Sequence, residues 1–155
     1  MSVSTPTQTA PFTIREAKDG DLDRIEALLT DSHLPTAGVV ESVRDFLVAE
    51  ANGELVGVVG MEYRDNFGLL RSTAVPSEWR GHGIGRKLVE AIIARAESRG
   101  IHALYLLTTT AEGYFPSFGF RRTSRDVVPD AIRQTGEFRD ACPASATVMC
   151  LSLRS

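Results

Sequence analysis

Residues Leu69–Gly100 read LLRSTAVPSEWRGHGIGRKLVEAIIARAESRG, and the rest of the chain is organised around them. The stretch opens as a strand that ends at Ala74-Val75 and turns at Pro76-Ser77. A basic, glycine-rich loop from Arg80 to Gly85 then runs directly into a helix. Ile84, Leu88, Ala91, Ile92 and Ala96 recur at helical spacing and predict one apolar face. Gly100 stands where a left-handed residue would close the helix.

This order has a chemical consequence. The first N–H groups of a helix lack internal partners, and the helix dipole makes that end positive. Glycines at 81, 83 and 85 remove the Cβ atoms that would hold a phosphate away from those donors, and Arg80 and Arg86 add formal charge. The loop therefore predicts a pyrophosphate cradle. It is neither G-x-x-x-x-G-K-[ST] nor the G-x-G-x-x-G dinucleotide fingerprint. The plainer alternative is a tight strand-to-helix turn with no ligand.

Working outward, 155 residues suit one domain, expected over 12–155 behind a loose Ser/Thr/Pro-containing tail at 1–11. A net charge of -3 with no long basic run argues against a nucleic-acid partner. No apolar run approaches membrane-spanning length, and the first ten residues lack the charge and apolar pattern of a leader, so a cytoplasmic protein is expected. Cys142 and Cys150 are too few for a disulfide framework, and with the dispersed His33, His82 and His102 they predict no metal site.

In chain order the pattern predicts a strand at Phe12–Arg15, a helix at Asp19–Thr30 and a loop with a short helix through 32–41. A hairpin follows, Phe46–Glu50 and Glu54–Arg64 about Ala51-Asn52-Gly53, leading by Asp65-Asn66 into the strand that ends at Val75. After the central helix, Ala103–Leu107 is an unbroken apolar run suited to a buried parallel strand. A short helix at Ala111–Phe118, another near Pro129–Thr135 and a last strand at Ala146–Leu153 complete the chain.

The order strand, R-x-x-G-x-G, helix, strand, then A-x-x-x-F-x-x-x-G-F resembles the GNAT acetyltransferase superfamily across roughly Phe12–Leu153. The resemblance implies an α/β (α+β) fold: a central mixed, mostly antiparallel twisted sheet of six to seven strands flanked by helices, with a splayed parallel pair. It implies acetyl-CoA as co-substrate, with no metal. The pyrophosphate would meet Arg80, Gly81, His82, Gly83, Ile84, Gly85 and Arg86; the pantetheine arm would run along Thr73, Ala74 and Val75 and enter the gap beside Leu107. Members often protonate the departing thiolate with a tyrosine four residues before the glycine. Here that position is Phe115, placed at the cofactor site, and Tyr114 is read as core or pocket wall.

Acetyl transfer needs a held thioester, a neutral amine and relief of charge on the carbonyl oxygen. Glu62, on a strand beside the expected thioester, is the first candidate base, with exposure on a strand face as the alternative; Glu112 and Glu137 are weaker candidates. Arg71 is charged inside an apolar strand and needs a partner. A substrate carboxylate would supply one; a salt bridge to Glu62 is the other reading. Ser72, Thr108, Thr109 and Thr110 are hydroxyl donors at strand ends, suited to a polar acceptor pocket or simply to β-structure.

Three segments narrow the resemblance: Leu69–Ser72, YLLTTTAEGYF, and Val128–Arg133 running on to Cys142–Ala146. They are similar to the N-acetyltransferases encoded in bacterial arsenic-resistance operons, second subgroup, and more distantly to the acetyltransferase domain of N-acetylglutamate synthase. Both imply a small amine bearing a carboxylate, such as an amino acid or an arsinothricin- or phosphinothricin-type toxin. The rival readings are acetylation of a peptide or protein amine, and a non-catalytic acyl-CoA or arsenical sensor using Cys142 and Cys150. The superfamily often dimerises through terminal strands, so a homodimer is the corresponding expectation.

Overall fold

A computed structural model of the chain describes residues 11–109, 111, 113–136, 138 and 145–153. The tail at 1–10 and the candidates Thr110, Glu112, Glu137 and Cys142 lie outside the described residues. The strands are β1 (Thr13–Glu16), β2 (Leu47–Ala51), β3 (Glu54–Arg64), β4 (Phe67–Ala74), β5 (Ala103–Thr108), β6 (Arg121–Thr123) and β7 (Thr147–Ser152). The α-helices are α1 (Leu22–Asp31), α2 (Val39–Ser42), α3 (Ile84–Ser98) and α4 (Asp130–Arg133). One seven-stranded sheet runs β1-β2-β3-β4-β5-β7-β6. Its pairs are antiparallel except β4–β5, which is parallel, as the resemblance implied.

Alternation along the strands sorts the core onto two faces. On one face Met61, Leu70, Leu104 and Leu106 pack against Ile84, Leu88, Val89, Ile92 and Ala96 of α3. Four of these helix residues carry the predicted apolar periodicity; Val89 replaces Ala91, which is half-buried. The helix closes at Gly100 (φ +76°), with Ile101 N–H donating to Ala96 O at 3.1 Å, a Schellman-type end. The other face carries two apolar groups: Ile25, Leu28 and Leu29 of α1 over Val58 and Ala74, and Ile132 of α4 with Phe138 over Leu69, Tyr105 and Val148. Glu62 and Arg71 are buried polar residues on that face.

Two local readings are corrected. The segment after β5 holds a 3-10 turn, Phe115–Phe118, shorter than the helix expected over 111–118. Pro116 has no N–H to extend a helical ladder, and Gly119 (φ +102°) ends the turn. The edge strand β6 was not predicted, because RRT lacks apolar alternation and is exposed or half-buried.

Two irregularities build the site. β4 and β5 pair at Phe67↔Ala103, Gly68↔Leu104 and Leu69↔Tyr105, after which the strands part. On its other edge β4 carries a bulge against β3. Between the pairs Gly60↔Arg71 and Val58↔Ala74, Val59 is opposed by both Ser72 and Thr73. Ser72 adopts φ +61°, a left-handed conformation uncommon for a side-chain-bearing residue and often held at functional positions.

Candidate active site

The glycine loop presents an open helix end. Gly81 (φ +86°) and Gly83 (φ +78°) are left-handed, and a Cβ on either would meet no atom within 4 Å. Packing does not demand glycine at these positions; conformation does, and the space in front stays clear. The α3 ladder begins with Lys87 N–H donating to Gly83 O at 3.1 Å. The N–H groups of Ile84, Gly85 and Arg86 precede that bond and face a cavity of about 460 Å³, which Val75, Arg80, Gly83 and Tyr114 also line. Arg80 is steadied by its Nε donating to Val75 O at 3.1 Å. Arg86 donates to Ser117 Oγ at 2.8 Å and lies 4.5 Å from the centre of the Phe118 ring. His82 turns to Trp79, with ring centres 5.7 Å apart, and is not in the cavity lining.

A second cavity, about 210 Å³, lies where β4 and β5 part. Arg71, Ser72, Thr73, Leu107, Thr108 and Phe115 line it, and Leu34 and Pro35 supply another wall. Thr73 Oγ1 is buried without a hydrogen-bond partner among the described residues. Thr108 Oγ1 accepts from Ala111 N–H at 2.9 Å, fixing the turn after β5. Thr109 is exposed and outside the lining. Ala74 pairs with Val58 and buries its methyl group under α1, so its side chain reaches neither cavity.

Tyr114 joins the two cavities. It lines both, and a methyl group on Gly85 would stand 3.8 Å from its hydroxyl oxygen. The sequence reading of Tyr114 as core or pocket wall fits this position on a cavity wall, which the 3-10 turn sets. Burial pushes its hydroxyl up from 10.0, opposed by Arg86 and reinforced by Glu90, so it remains a hydrogen-bond donor at neutral pH. Phe115, the neighbour assigned to the site from the sequence, is 7% exposed and packs its ring against Phe120 at 5.8 Å. The legible signal for Tyr114 was Pro116 two residues on.

Glu62 and Arg71 meet each other at the back of the smaller cavity. Arg71 Nη1 donates to Glu62 Oε2 at 2.5 Å, and their side chains are 0% and 2% exposed. Arg64 Nη2 takes the other carboxylate oxygen at 3.2 Å. With both oxygens engaged and outside the cavity lining, Glu62 is badly placed to receive an amine's proton. Arg71 also donates to the carbonyls of Pro35 (3.1 Å) and Ala37 and, through Nε, to Ser72 Oγ at 2.9 Å. The internal salt bridge, the second reading of Arg71, is the one the geometry holds.

Cys150 sits on β7 opposite Tyr105. Burial raises its thiol, the reverse of what a reactive thiolate requires. Among the described residues no group of three His, Cys, Asp or Glu could hold a metal, and no helix is long and apolar enough to cross a membrane.

Residues 42–122 match the family model described as an acetyltransferase (GNAT) domain. An uncharacterized N-acetyltransferase of Chlorobaculum tepidum is 33% identical over 95 residues, 61% of this chain and 61% of that protein. An amino-acid acetyltransferase of Neisseria meningitidis is 27% identical over 130 residues, 78% of this chain but 30% of its own length. This chain thus spans about three fifths of the first relative and under a third of the second. The structure of N-acetylglutamate synthase from Neisseria gonorrhoeae, complexed with coenzyme A and L-arginine, superposes with TM-score 0.77 at 25% identity, covering 94% of this chain and 34% of that one. A Mycobacterium tuberculosis protein solved with CoA shares the fold along 99% of its length, with TM-score 0.77 at 24% identity.

Proposed function

The chain belongs to the GNAT acetyltransferase family, and from that premise we propose that it transfers acetyl from acetyl-CoA to the amino group of a small amino acid or amino-acid-like amine. The observation that carries the reading is that the cavity at the open end of α3 and the one where β4 and β5 part share Tyr114 as a wall. The pyrophosphate would sit on the N–H groups of Ile84–Arg86 beside Arg80 and Arg86. The pantetheine arm would follow β4 from Val75 to Thr73, where the bulge has taken the backbone out of the β3 ladder, and bring the thioester to the smaller cavity.

There the amine nitrogen attacks the thioester carbonyl, the C–N bond forms and the C–S bond breaks. The amine's proton leaves to solvent, and the CoA thiolate takes a proton from water or from Tyr114. Closely held reactants supply part of the acceleration in such a site. The relatives named amino-acid acetyltransferases support a carboxylate-bearing amine. The narrower acceptor, an arsinothricin- or phosphinothricin-type toxin met in an arsenic-resistance setting, rests on the three segments noted in the sequence.

The test is CoA thiol release from acetyl-CoA in the presence of L-glutamate, phosphinothricin or a lysine peptide. Acceleration by a free amino acid or its analogue is the expected result, with phosphinothricin preferred if the toxin reading holds. Acceleration by the peptide alone would move the assignment to protein acetylation. Silence with every amine, despite acetyl-CoA binding, would overturn the transferase reading.

A further inference from the structure

We infer that Arg71 and Glu62 are positioning residues, a buried latch that holds the loop of residues 35–38 and thereby sets one wall of the acceptor cavity. The inference rests on the assignment of that cavity to the acceptor. From β4, the Arg71 guanidinium reaches over the sheet and binds the carbonyl oxygens of Pro35 and Ala37, groups 36 and 34 residues away in the chain. Glu62, one strand over, holds the same Nη1 at 2.5 Å, and Arg64 holds Glu62 from outside at 3.2 Å. The loop is seated without slack: a Cβ on Gly38 (φ +81°) would stand 2.9 Å from Glu62 Oε2 and 3.2 Å from Arg71 Nη1. Gly38 is also the residue from which α2 begins. Leu34 and Pro35, at the near end of this loop, line the cavity.

A buried ion pair is weak evidence for stability, since apolar residues of similar volume commonly hold a core as well or better. An apolar pair has no fork of donors, however, and cannot bind two loop carbonyls and a hydroxyl at once. Only the planar guanidinium does so from a single side chain. What the pair holds therefore accounts for its presence: the loop wall, the bulge at Ser72 through its hydroxyl, and a fixed width for the cavity between them.

Arg71→Lys separates the latch from a substrate ligand, because an ammonium can still face Glu62 but cannot span both carbonyls. Two readouts are taken on the full chain. The first is amide hydrogen exchange across residues 34–42, which needs no activity. The second is KM for acetyl-CoA and for whichever of L-glutamate and phosphinothricin is turned over, each beside its α-carboxamide. The latch predicts exchange in 34–42 faster by roughly tenfold with β3 and β5 unchanged, as for the loss of one or two hydrogen bonds to a charged group. It also predicts an acceptor KM raised by a similar factor for acid and amide alike, with KM for acetyl-CoA within about twofold.

A penalty confined to the acid would make Arg71 the carboxylate ligand and overturn the latch. So would unchanged exchange. Absence of turnover with every amine would remove the transferase reading while exchange still decides the latch. If Arg71→Lys does not fold, the double variant Arg71→Met, Glu62→Leu removes both charges together. Faster loop exchange in that variant supports the latch, and unchanged exchange overturns it.

Discussion

The glycine loop and the Arg71–Glu62 pair lie at opposite extremes of how a polar group can be held. At the start of α3, N–H donors and two arginine side chains edge an open cavity, and nothing packs where a Cβ on Gly81 or Gly83 would be. At the pair, the guanidinium binds Glu62, two loop carbonyls and the Ser72 hydroxyl, and the side chains are shut from solvent. Open donors are accessible to a ligand; closed ones fix a shape. A charged residue near a groove is therefore no guide to what binds there until its partners are known.

The contrast breaks most severely at Arg71→Met. With its partner removed, Glu62 keeps a buried charge held by Arg64 alone among these arginines, and unfolding free energy should fall by about 3–5 kcal/mol. Adding Glu62→Leu should recover most of it. Urea denaturation of the single and double variants checks both, and a double variant no more stable than the single would contradict the buried-pair account.

The open region is attacked at Gly83→Val. A β-branched residue at φ +78° costs about 1–2 kcal/mol in backbone strain and fills the space before the helix end. CoA affinity, measured by calorimetry, should drop on the order of 100-fold, or about 2.7 kcal/mol. An unchanged affinity would remove the cradle.

Tyr114→Phe is the mildest of the three and probes the junction. Losing one hydroxyl at the groove should weaken CoA binding roughly three- to tenfold, in line with a single neutral hydrogen bond. Burial raises the Tyr114 hydroxyl above its usual 10.0, so it stays protonated and donating from pH 7 to 9. The penalty should therefore be flat over that range. A penalty that faded by pH 9 would mean the hydroxyl ionises earlier than its surroundings dictate.

What could be read in advance followed sequence distance. The strand, glycine loop and apolar helix face are one contiguous stretch of local signals, and the strand and helix stand where the pattern placed them. The hairpin of β2 and β3 was legible for the same reason. Arg71 was recognised as needing a partner, and Glu62 was named among two choices. Deciding between them required the fold, because the loop carbonyls that complete the guanidinium's shell come from 36 and 34 residues upstream. Tyr114 was legible as a pocket wall, but its place between the two cavities depends on the 3-10 turn at Pro116. Strand β6 carries no alternation to detect, since its edge position asks for charge instead.

The three parallel rungs between β4 and β5 have a mechanical meaning as well. They join two plates, one built from β1 to β4 and the other from β5 to β7, by a narrow weld at one end of a long seam. Along the unwelded length, the edges of both plates face the gap. A ligand arm carrying amides of its own, laid into that gap, would act as a splint between the two strands. The unliganded sheet is then least stiff along this seam, and occupancy should make the two plates unfold as one body.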